Sequence, residues 1–131
     1  MLILGLSLSL RVNDVLASQV SPFHIPQLYM HMICAESESV LFASCSATRG
    51  ANIFRLQRDE SLMQTMLNYV DQFASQFGSS DADPPPINFF SNDDAYRSFV
   101  RSMAKAASRV ELVAYIPNQE VQRAKPEHLF L

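Results

Sequence analysis

Between Asp59 and Gly78 the apolar residues Leu62, Met63, Met66, Leu67, Val70, Phe73, Ala74 and Phe77 recur at spacings of three and four. That period lines them along one side of an α-helix, so the spacing predicts a helix over 60–77 that must lie against another part of the chain. Asp59 has the chemistry of an N-cap and Gly78 that of a stop. The opposite side carries Gln64, Asn68, Asp71 and Gln76 but no basic residue, which removes a helix lying on a membrane surface.

The stripe is broad enough to cover one face of a hairpin, and a hairpin immediately precedes it. Val40–Ser46 reads as a strand, Ala47–Gly50 as a turn and Asn52–Gln57 as the returning strand. So short a connection requires antiparallel pairing, with Gly50 free to take the left-handed position. Upstream, Pro26 opens a predicted helix over 26–35 in which Leu28, Met32 and Ala35 share a buried face. Leu6, Leu8 and Leu10 alternate with Ser7, Ser9 and Arg11 in a first strand over residues 3–12.

The expected fold is therefore a small α/β (α+β) domain. A mixed or antiparallel sheet from residues 3–12, 39–46 and 51–57 is covered by helices 26–35 and 60–77. The 131 residues are 48% hydrophobic with only three glycines, which fits one core and excludes collagen-like or wholly disordered chains. Residues 1–77 form the predicted core, 78–90 a proline-rich linker or loop, and 91–131 a helix–strand extension of the same domain. In that extension Ser91 and Asp94 make a capping-box pattern. A helix follows to Ser108, burying Tyr96, Phe99, Val100, Met103 and Ala107. Val110–Ile116 reads as an interior or partner-covered strand because it is almost continuously apolar.

The ten-residue apolar start is too short to span a bilayer and lacks a basic leader, and no membrane partner is expected. Cys34 and Cys45 are too few for a disulfide scaffold and lie in apolar surroundings, as buried free thiols do, which points to an intracellular, cytoplasmic or nuclear setting. His24, His31 and Cys34 fall short of a zinc ligand set, so no metal site is assigned. The formal charge of -3 announces no polyanion-binding surface. Arg97, Arg101, Lys105 and Arg109, however, recur every fourth residue and would form one basic helical stripe, open to phosphates or simply solvated.

The order strand, helix, hairpin, helix, with Ile25-Pro26-Gln27-Leu28-Tyr29-Met30-His31-Met32 and Phe54-Arg55-Leu56-Gln57-Arg58-Asp59-Glu60, resembles the viral-recombinase and lambda-exonuclease-like branch of the PD-(D/E)XK nucleases. The resemblance covers residues 25–77. It implies a restriction-endonuclease-like core, a DNA-positioning glutamine at Gln27, and His31 where relatives carry tyrosine. It also places Ser7 and Ser9 where the family holds the glutamate and lysine of its magnesium site. Hydroxyls do not replace those charges. The expectation is thus a non-catalytic nuclease-like module that binds DNA or a protein assembly through Gln27, His31, Arg55, Arg58, Arg97, Arg101, Lys105 and Arg109. Magnesium would enter only if another segment or chain completed the site. A structural or protein-interaction α/β domain, a homo-oligomer included, is the alternative.

Overall fold

A computed structural model describes residues 2–8, 16–46 and 48–118. The end of the first predicted strand, Ser9 included, and residues 119–131 of the predicted extension lie outside them.

The hairpin forms as its turn chemistry requires. Strands β2 (Ser39–Ser46) and β3 (Gly50–Gln57) pair antiparallel, from Ser39 opposite Gln57 to Ser46 opposite Gly50. The Ser46 hydroxyl accepts from the amides of Thr48 and Arg49 at 3.2 and 3.1 Å and so ties the turn. Gly50 takes φ 98°, and a Cβ there would run into the carbonyl oxygen of Ile116. Strand β1 (Leu2–Leu8) pairs parallel to β2, and β4 (Glu111–Ile116) pairs antiparallel to β3. The sheet is mixed, with the order β1-β2-β3-β4.

A parallel pair needs a crossover, and helix α1 (Ile25–Ala35) supplies it. Pro22 and Pro26 sit in the opening turns, where a missing N–H costs nothing. At its other end Glu36 adopts a left-handed φ of 51°, while the Ser37 amide reaches back to the Met32 carbonyl at 3.0 Å. Helix α2 (Glu60–Phe77) has the predicted bounds, and Asp59 accepts from the Leu62 amide at 3.0 Å. Gly78 ends it in the right-handed region, so its lack of a side chain is not needed for a left-handed cap.

The short α3 (Phe89–Asn92) leads into α4 (Asp94–Ser108). Here the expected Ser91 cap is corrected: Asp93 is the N-cap and accepts from the Tyr96 amide at 2.8 Å, because Phe89–Asn92 is already helical. Part of the predicted linker therefore belongs to α3.

The helices gather on one face of the sheet. Val40, Phe42, Phe54 and Leu56 from the strands meet Ile25, Leu28, Tyr29 and Met32 of α1, Leu62, Met63 and Met66 of α2, and Met103 and Ala106 of α4. Only the first half of α2 enters this core. Its second half leaves the sheet and packs through aromatic rings on α3 and α4, with Tyr69 stacked on Phe99 at 4.5 Å and Phe77 edge-on to Phe89 at 5.2 Å. The broad stripe thus covers other helices as much as the hairpin.

The residues of α4 are redistributed in the same way: Met103 and Ala106 are buried, whereas Tyr96, Phe99, Val100 and Ala107 are half-buried. Of the cysteines, Cys34 is exposed, contrary to expectation, because it shares the outer face of α1 with Gln27, Met30 and His31. Cys45 is half-buried, which pushes its thiol up.

The largest correction concerns β4. It is an edge strand, and Glu111 to Tyr115 are all exposed rather than interior. Its apolar run lacks cover because β3 occupies one side and no described strand lies on the other.

Candidate interaction surfaces

The side chains singled out for DNA do not all share one surface: Arg55 lies on the sheet face away from the helices and Arg58 turns inward. Gln27 and His31 are exposed on the outer face of α1. Arg55 follows the alternation of β3 onto the opposite face from Phe54 and Leu56, in register with Leu41 and Glu111, and no described helix covers that face. Arg58 turns inward. Its guanidinium donates to the carbonyls of Ser37 at 2.9 Å and Met32 at 3.4 Å, and pairs with Glu60. These bonds satisfy the carbonyl end of α1 beside the strained Glu36 turn, so Arg58 is committed to structure.

On α4, Arg97 donates to the Ser91 carbonyl and Arg109 pairs with Asp59, which leaves Arg101 and Lys105 as its free exposed cations among the described residues. Ser7 lies opposite Ser44 in the β1–β2 register. Magnesium asks for carboxylate oxygens, and two serines do not fit it. Among the described residues no group of three His, Cys, Asp or Glu stands close enough to hold a metal ion. No described helix is long and apolar enough to cross a membrane.

One polar site emerges that sequence reading missed. Asp59 caps α2 with one oxygen and binds Arg109, at the end of α4, with the other. The carboxylate faces a helix N-terminus and the guanidinium a C-terminus, so both charges favour the adjoining dipoles. Beside them Tyr29, buried beneath α1, borders a cavity of about 220 Å³ shared with Leu56, Arg58 and Ala106. Burial pushes the Tyr29 hydroxyl up to about 12, Asp59 adds to the rise, and Arg109 partly opposes it. Tyr29 is therefore a neutral hydrogen-bond donor at physiological pH, suited to positioning and not to proton abstraction. Asp59 and Arg109 are fifty residues apart, and no local pattern links them.

Two further stretches of surface expose large apolar side chains among the described residues. Phe23 is 82% exposed above a cavity of about 150 Å³ lined by Pro26, Phe99, Val100 and Met103. On β4, Leu112, Val113 and Tyr115 are 55%, 39% and 56% exposed. The pairing of β4 with β3 shifts by one residue at Val113: Ala114 lies opposite Ile53 and Leu112 opposite Phe54. Tyr115 is fixed at the far end by its hydroxyl, which donates to the Arg49 carbonyl at 2.7 Å. A third cavity, of about 390 Å³, opens beside the strand, between Phe54, Ala104, Ala107, Val110 and Leu112. Comparison with protein-family models, with curated proteins and with solved structures finds no match.

Proposed function

We propose that this chain is a protein-interaction module that works by strand addition at β4. The observation that supports this reading is the combination of a strand edge left open among the described residues with three large exposed apolar side chains, Leu112, Val113 and Tyr115. Backbone hydrogen bonds along an edge give affinity to any extended segment, and alternate side chains give it selectivity. Extended apolar patches on a small domain mark contact sites more often than solvent-facing surface. Exposed free Cys34 fits a reducing intracellular setting, cytoplasmic or nuclear.

A short synthetic peptide of alternating valine and threonine, titrated into the labelled chain, tests the reading by amide chemical shifts. Changes centred on residues 111–116 are expected. Saturating peptide that leaves those amides unmoved would overturn it.

The nuclease-like DNA-binding reading rests on a narrower observation, the exposed Arg101 and Lys105 one turn apart on α4. It calls for weak association that falls steeply with salt and loses slope in an Arg101→Gln, Lys105→Gln chain. Absence of binding to single- or double-stranded DNA at low ionic strength closes it.

A further inference from the structure

We infer that the partner of β4 is a second copy of this chain, whose own β4 adds antiparallel to the first and joins two four-stranded sheets into one. The inference rests on the strand-addition reading and names its occupant. A two-fold axis perpendicular to the sheet lets one edge serve both copies, because each outward-facing donor and acceptor on one strand meets its counterpart on the other.

The bulge at Val113 selects the register. Leu112 lies opposite Phe54 and Tyr115 opposite Asn52, and Phe54 and Asn52, two residues apart, share the helix-covered face. Leu112 and Tyr115 therefore share that face too, although they are three residues apart. Glu111 opposite Arg55 and Ile116 opposite Ala51 share the other face by the same rule. In an unbulged strand, residues three or five apart would fall on opposite faces. Residues that meet across an antiparallel seam must share a face, so the matching register sets Leu112 against Tyr115 of the second copy and Glu111 against its Ile116. Each copy then covers the exposed Leu112 and Tyr115 of the other, an aromatic–aliphatic pairing that stabilises sheets.

Charge agrees with this direction. Glu111 begins the strand, while Arg49 stands at its far end, where Tyr115 holds its carbonyl. Both are exposed, and neither belongs to an ion pair among the described residues, although Arg55 stands opposite Glu111 within the ladder. An antiparallel second copy brings each Glu111 to the Arg49 end of the other. A parallel copy would set Glu111 beside Glu111. From 111 to 116 the strand also has no lysine, arginine or proline, the residues that commonly block such pairing.

Sedimentation equilibrium of the full chain provides the test. A seam this short makes a weak dimer, so the mass should rise from one chain toward two between about 1 and about 200 µM. Val113→Lys places two lysines beside the symmetry axis and should hold the mass at one chain while the circular dichroism spectrum is unchanged. Glu111→Arg should weaken association about tenfold, and adding Arg49→Glu should restore it. Both positions are exposed, so this pair remains informative if Val113→Lys fails to fold.

A chain that stays single at every concentration overturns the homodimer. The broader reading would then be judged by the valine–threonine peptide alone, and would survive if the peptide still moved the β4 amides. A dimer indifferent to Val113→Lys, or one that the charge exchange does not restore, places the seam elsewhere and also overturns the inference.

Discussion

Strands β2 and β4 make an instructive pair. Val40–Ser46 includes three residues with polar or thiol side chains, Ser44, Cys45 and Ser46, yet two of these, Ser44 and Ser46, are buried. Leu112–Ile116 is wholly non-polar except for the Tyr115 hydroxyl, yet most of it is exposed. The difference lies in sheet position. Strand β2 has a neighbour on each side and α1 above it, whereas β4 ends the order. Apolar composition records what a strand tolerates or seeks; the neighbours decide whether it is covered within one chain.

The sharpest way to break this comparison is truncation on both strands of the edge pair. Phe54→Ala should cost about 3–5 kcal/mol in denaturant unfolding, because Phe54 is buried among α1, α2 and α4 side chains. Leu112→Ala, facing it across the ladder, should cost less than about 1 kcal/mol at concentrations where the chain is single. Equal losses would mean that β4 is covered within the chain after all.

A second contrast concerns buried Tyr29 beside the more exposed Asp59–Arg109 pair. Tyr29 ionises at about 12 in the folded chain, above its ordinary 10.0. A phenol whose folded pKa is raised gives stability that is complete below the unfolded pKa. That stability is lost as pH rises through the folded one. Between pH 10 and 12 the chain should therefore lose about 2 kcal/mol that Tyr29→Phe does not lose. Parallel stability–pH curves for the two chains would place the hydroxyl in solvent. A smaller gain is expected at the end of α1, where Glu36 holds a left-handed φ of 51°. Glu36→Gly should relieve about 1 kcal/mol there, read as a higher unfolding midpoint, provided the Arg58 bonds to Ser37 and Met32 persist.

Local chemistry was legible in the sequence, and long-range placement was not. The bounds of α2 and the Asp59 cap follow from a periodic stripe with a capping carboxylate directly before it. The Gly50 turn follows from a backbone position that excludes a side chain. At α4 the capping-box pattern points to Ser91, but Phe89–Asn92 is already helical, so the cap falls to Asp93.

The spacing of Arg97, Arg101, Lys105 and Arg109 was correctly helical up to Ser108, but their partners were invisible. Arg109 is drawn to Asp59 and Arg97 to the Ser91 carbonyl by contacts that periodicity does not encode. Likewise, the apolar run of β4 announced a strand without revealing whether the chain itself would cover it.

The most direct measurement is amide hydrogen exchange on β4, read residue by residue against β3 as chain concentration is raised. β3 is bonded on both sides within one chain, so its protection should stay constant. Outward-facing β4 amides should exchange quickly when dilute and slow by at least about tenfold as chains associate. Exchange on β4 that is already slow when dilute, or that never changes with concentration, would contradict an edge completed by a second copy.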